Sequence, residues 1–97
     1  MVRRAPRLDA NQQAIVEALR TIPDVSCYSL AGVANGIPDL LVGVHQQTYL
    51  VEVKDGEKAP SAQTLTPDQV RFIGNWTGSP VVVLTSVDTA ISWVSRL

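Results

Sequence analysis

Two short runs rich in Val, Leu and Tyr, Asp39 to Val44 and Thr48 to Lys54, are separated only by His45, Gln46 and Gln47. This spacing constrains the chain more than any other feature, because runs of that length and composition around so tight a turn predict an antiparallel hairpin. Centring the turn between His45 and Gln46 pairs residues whose numbers add to 91, whether the loop holds two residues or four. Asp39 then faces Glu52. Facing residues on an antiparallel pair have Cβ atoms about 4.5 to 5.5 Å apart, and like charges there are destabilising. Lys54 lies two residues beyond Glu52 and therefore projects from the same face of its strand.

A divalent cation removes the repulsion between such carboxylates. Mg²⁺ is held by one or two carboxylates and keeps water or phosphate oxygens in its remaining positions. An ion of this kind polarises a phosphate and activates water, and a neighbouring Lys offsets charge on the phosphoryl oxygens. Phosphodiester hydrolysis is the chemistry that fits Asp39, Glu52 and Lys54. The same residues also admit a plainer arrangement, a solvated strand end where each carboxylate pairs with Lys54 or another surface base.

The rest of the chain frames the hairpin. Asp9 is a good helix N-cap, and Ile15, Val16, Leu19 and Ile22 recur at helical spacing until Pro23 and Asp24 end the helix. Val25 to Leu30 reads as a strand, Ala31 to Ile37 as a loop, and Asp55 to Leu65 as a long polar loop. Thr66, Pro67 and Gln69 form the capping signature of a second helix, with Val70, Ile73 and Trp76 continuing an apolar stripe and Phe72, Ile73 and Trp76 expected to face inward. After Gly78, Ser79 and Pro80, Val81 to Thr85 reads as a strand buried on both faces, and Ser86 to Arg96 as a closing helix carrying Ile91 and Val94. The predicted order is αβββαβα, an α/β fold with a central mixed sheet flanked by helices. Ninety-seven residues suit one domain, expected over residues 9–97, preceded by a mobile basic arm over residues 1–8 with Arg3, Arg4 and Arg7.

Pro38 and Asp39, then Glu52, Val53 and Lys54 after a hairpin-length gap, resemble the PD-(D/E)XK nuclease motif. Thr66, Pro67 and Gln69 with Phe72 resemble the following helix of the virus-type replication-repair nuclease (VRR-NUC) group, and the likeness runs from about Asp9 to Ile91. The resemblance implies a restriction-endonuclease-like core and a metal-dependent nuclease related to Holliday junction resolvases, short stand-alone members of which occur in bacteriophages. It assigns Mg²⁺ or Mn²⁺ binding to Asp39, Glu52 and the Val53 carbonyl, and charge stabilisation or water orientation to Lys54. Gln69 becomes a further catalytic residue, although a capping Gln needs no such role. Many relatives place a Glu on the first helix. Here the only candidate, Glu17, lies opposite the apolar face, whereas Asn11 and Gln12 flank that face.

Eight Lys and Arg against nine Asp and Glu give a net charge of -1, which is no general nucleic-acid footprint. Assigning two acids to a cation answers that objection and leaves Arg3, Arg4, Arg7 and Lys58 to meet a backbone. Cys27 is a single cysteine, so it is expected to be a small buried hydrophobe without disulfide or Cys-based zinc. Trp76 and Trp93 are expected in the core or an interface rather than as base-stacking platforms, and His45 exposed at its turn. No apolar run suits a membrane span or a signal peptide, which predicts an intracellular protein of a bacterial or phage-infected cell. The reading is a metal-dependent endonuclease on structured or branched DNA, acting as a homodimer because one small domain offers little surface to a branched duplex. A non-catalytic nucleic-acid-binding module that keeps the fold is the alternative, and a protein-interaction domain a third.

Overall fold

A computed structural model describes residues 10–97; the arm with Arg3, Arg4 and Arg7, and Asp9 as helix cap, lie outside the described residues. Helix α1 (Ala10–Thr21) is followed by strands β1 (Val25–Ser29), β2 (Leu40–Val44) and β3 (Gln47–Val53). A single turn, α2 (Pro60–Gln63), precedes α3 (Pro67–Asn75), β4 (Val82–Leu84) and α4 (Val87–Ser95). The strands form one mixed sheet in the order β1-β2-β3-β4, antiparallel except for the β3 and β4 pair. Apart from α2, this is the predicted order. Four residues are too few to show a helical period; in the folded chain the Gln63 amide binds the carbonyls of Gly56 and Lys58 and closes the segment.

The hairpin register is the predicted one, with Leu40 opposite Val51 and Val42 opposite Tyr49. Alternation then sends Leu40, Val42, Val44, Val51 and Val53 to one face, where they pack with Ile15, Val16 and Leu19 of α1 and Ala90, Trp93 and Val94 of α4. Tyr49 meets the Trp93 ring edge-on, centroids 5.2 Å apart, and buried Cys27 joins this cluster as expected. The residues between them, Leu50, Glu52 and Lys54, project from the other face, over which α3 lies.

Three expectations are corrected, two of them because that second face is only partly covered. β4 is an edge strand, and Val83 is 47 % exposed rather than buried. Ile91 is exposed on α4, where Ala90, Trp93 and Val94 make the inward stripe instead. α3 carries no buried residue: Phe72 and Ile73 are half-buried, Val70 points to solvent off the expected stripe, and Trp76 is 43 % exposed and stacked on Phe72. Its amphipathic pattern is real, but α1 and α4 already fill the main core, and polar contacts hold α3.

The β2–β3 turn places His45 and Gln46 both in the left-handed region, φ 53° and 62°, as a two-residue type I′ turn requires. Neither residue prefers it, and the left-handed conformation costs about 1 to 2 kcal/mol for an ordinary L-residue. Substituting His45→Asn together with Gln46→Gly should therefore stabilise the protein by about 1 kcal/mol, which raises Tm by about 4 to 8 °C in a domain this size. A thermal melt that does not move upward would contradict the turn assignment.

Candidate active site

The open end of the hairpin is where β2 and β3 separate. Asp39 immediately precedes β2, and its main-chain carbonyl accepts from the Leu30 N–H at 2.8 Å while its carboxylate Oδ2 accepts from the Val53 N–H at 2.8 Å. The side chain thus takes the bond that a further β2 residue would otherwise have made. On a strand the N–H and carbonyl of one residue project to the same side, so the Val53 carbonyl points beside the Asp39 carboxylate.

Glu52 is 2 % exposed, the only buried acidic or basic residue among those described. Its carboxyl is pushed up to about 8, first by burial, then by hydrogen bonding and repulsion from Asp39, and these outweigh the opposing attraction of Lys54. Without a cation the Asp39 and Glu52 pair therefore holds a proton more tightly than a free carboxyl does. The Lys54 ammonium, 3.7 Å from Glu52 Oε1, is insufficient to offset this.

Gln69 joins these groups. Its Nε2 donates to Glu52 Oε1 at 2.8 Å, and its Oε1 accepts from Lys54 Nζ at 3.0 Å and from the Thr66 N–H at 2.9 Å. Thr66 returns the cap by accepting from the Gln69 N–H. The two readings of Gln69 are thus one arrangement: the residue that closes the helix cap also reaches the carboxyl and ammonium. What puts α3 there is Gly36, at φ 76°, whose Cα faces the Asp68 carbonyl and the Gln69 N–H so closely that any Cβ would overlap the Asp68 backbone. Sequence reading recognised Gly36 as a loop residue and missed this contact; only its place two residues before Pro38 hinted at it.

Asn11 reaches the same strand ends from α1, on the other side of the sheet. Its Nδ2 donates to the carbonyls of Lys54 at 3.0 Å and Thr85 at 3.1 Å, fastening β3 to β4 beyond their ladder. Glu17 is exposed, as expected, and Gln12, placed at the flank of the inward face, is buried. Lys58 and Arg71 are exposed, and Arg71 is paired with Asp68 at 2.8 Å.

Asp39, Glu52 and Lys54 thus come together at one strand end, with Gln69 added. No cluster of three or more His, Cys, Asp and Glu forms among the described residues. Two carboxylates and one carbonyl are oxygen donors. A carboxyl driven upward by burial, and then by its neighbour Asp39, is a group that a cation would ionise.

A mixed sheet whose central hairpin brings a Pro-Asp and a Glu-X-Lys to one end, flanked by helices, is a nuclease-type α/β fold. Within that class the chain is similar to a solved structure described as a VRR_NUC domain, at 25 % identity and TM-score 0.61, over 88 % of this chain and 90 % of that one. No family model and no curated protein matches the sequence. The chain has the VRR-NUC nuclease fold, as the motif resemblance implied.

Chelator-treated protein should lose stability as pH rises. The folded state holds the Glu52 proton to about pH 8, the unfolded chain only to about 4.5, so the contribution is complete below the lower value and lost by the upper one. At about 1.4 kcal/mol per unit the loss is on the order of 5 kcal/mol. Denaturant midpoints measured across this range should fall for the native sequence and flatten for Glu52→Gln; equal slopes would show that Glu52 titrates normally.

Proposed function

We propose that the chain is a metal-dependent endonuclease that hydrolyses phosphodiester bonds in DNA, with structured or branched DNA as substrate. The observation that carries this reading is the joining of a buried, charge-deficient Glu52 to Lys54 and Asp39 at an open strand end. Asp39, Glu52 and the Val53 carbonyl would hold Mg²⁺ or Mn²⁺. Such an ion supplies polarisation of the phosphate and a water acidic enough to attack it. Lys54, fixed through Gln69 Oε1, presents its ammonium to charge developing on the phosphoryl oxygens. Gln69 acts as a positioning residue, since its amide orients both Glu52 and Lys54. Lys58 and the arm residues Arg3, Arg4 and Arg7 supply phosphate contacts along the duplex.

A symmetric homodimer belongs to this reading, because two sites on one assembly suit two strands of a branch. The domain is taken as residues 9–97, in the interior of a bacterial or phage-infected cell. No helix among the described residues is long and apolar enough to cross a membrane. One observation favours a second reading, a non-catalytic binding module: the Asn11 amide is committed to the Lys54 and Thr85 carbonyls, and Glu17 faces solvent. Helix α1 therefore brings no carboxylate to the strand end.

Incubation with supercoiled plasmid and a four-way junction separates the two. Cutting in Mg²⁺ or Mn²⁺, abolished by EDTA and reduced about 100-fold or more in Asp39→Ala, is the expected result. Binding without cutting in either metal points to the module, and light scattering at micromolar concentration checks for the dimer.

A further inference from the structure

Trp76 is a large aromatic residue at the surface that is nonetheless held in one orientation. Its ring stacks on Phe72 with centroids 5.5 Å apart and planes 19° from parallel. Its indole N–H donates to the Ser79 carbonyl at 2.9 Å, and Gly78 lies so close to the ring that a Cβ there would come within 2.6 to 2.8 Å of Cζ2, Cε2 and Nε1. Beside the pair is an open cavity of about 210 Å³ lined by Asn35, Arg71, Phe72, Asn75 and Trp76. A surface indole so fixed has its rotational freedom spent before any ligand arrives, which lowers the cost of stacking something on it.

The lining says what that something is. The stacked rings of Phe72 and Trp76 give the cavity an aromatic wall, and the amides of Asn35 and Asn75 offer both donors and acceptors to the edge of a flat ring. Arg71 is already neutralised by Asp68, so the cavity is not a phosphate cradle. Its volume lies below the roughly 300 to 1,000 Å³ of pockets for drug-sized ligands, which suits a single heterocycle. Val70, the exposed apolar residue of α3, is 200° from Phe72 at 100° per residue and does not line the cavity. A protein partner docking on an apolar helix face would be expected to use it.

The position ties the cavity to the strand-end site. Gln69, Phe72 and Trp76 follow one helix stripe, with Phe72 about 4.5 Å along the axis from Gln69. Asn35 adjoins Gly36, which packs on the Asp68 and Gln69 backbone, so loop and helix carry both sites as one body. We propose that this pocket holds one unpaired nucleobase of the substrate strand next to the bond to be cut. Bases inside a duplex have both faces covered by their neighbours, and only a splayed or single-stranded base can present one to Trp76. The pocket therefore selects DNA with unpaired nucleotides, at a flap, gap or branch, over continuous duplex. This selection rests on the nuclease reading above, whereas base binding itself does not.

Binding is measured by fluorescence anisotropy in EDTA, where no cutting occurs, with three labelled DNAs: a duplex with a single-stranded extension, the same extension carrying abasic positions, and a fully paired duplex. The native protein should bind the intact extension about 5- to 100-fold more tightly than the abasic one, the range that stacking of one base gives. Trp76→Ala should lose that preference and leave binding to the paired duplex unchanged, while Trp76→Phe should retain most of it. Equal affinity of the native protein for intact and abasic extensions overturns the pocket and needs no variant to fold. So does an equal loss on all three DNAs, or a Trp76→Ala protein that turns monomeric in light scattering, which would make the face a contact between copies. Cutting without base preference would sink the pocket and spare the nuclease; base preference without cutting in metal would do the reverse.

Discussion

The pairing of β2 with β3 at one register is the constraint on which both the core and the candidate site depend. Because side chains alternate, a slip of one residue would exchange the two faces of β3. Val51 and Val53 would leave the core for the α3 side, and Glu52 and Lys54 would turn toward α1 and α4. The turn at His45 and Gln46 holds the count despite two unfavourable φ angles, so the hydrophobic alternation of both strands outweighs the local cost. The same register sets Asp39 at the place where its carboxylate, rather than another ladder residue, meets the Val53 N–H.

The candidate site lies where the ladder stops. The strand ends leave carbonyls and side chains without sheet partners, and three segments converge to use them: Asn11 from α1 on the Lys54 and Thr85 carbonyls, Gln69 from α3 on Glu52 and Lys54, and Asp39 from the loop on Val53. Gln69 carries an unusual share, since the amide that completes the α3 cap also sets the carboxyl and the ammonium in place. Any movement of α3 is therefore transmitted to the site, and Gly36 limits that movement by packing directly on the backbone of the helix's first turn. Burial makes Glu52 a poor anion on its own. An ion with hydrogen-bonded waters is the natural complement to a carboxylate pair that the protein does not itself neutralise.

Much of this was legible in the residues. Hairpin centre, register and the convergence of Asp39, Glu52 and Lys54 follow from strand alternation and turn length, which are local properties. The α3 cap was legible for the same reason. What local pattern could not convey was how many layers compete for an apolar stripe: Phe72, Ile73 and Trp76 have the spacing of a core helix, but α1 and α4 had already filled the core. Val83 and Ile91 fail likewise: a run of apolar residues does not reveal that its strand is at the edge, and helical spacing does not reveal which stripe of α4 the sheet will cover. The contact of Gly36 with Asp68 and the bonds of Asn11 to Lys54 and Thr85 join residues far apart in sequence, and nothing in their immediate neighbours marks them.

The central claim is that Asp39, Glu52 and the Val53 carbonyl form a binding site for a divalent ion. Anomalous diffraction from crystals grown with Mn²⁺ tests it most directly. The account predicts one strong anomalous peak at the open end of the β2–β3 hairpin, coordinated by those three oxygens with waters completing the shell. An absent peak at millimolar Mn²⁺, or one bound by other residues with Glu52 still hydrogen-bonded to Gln69 alone, would contradict it.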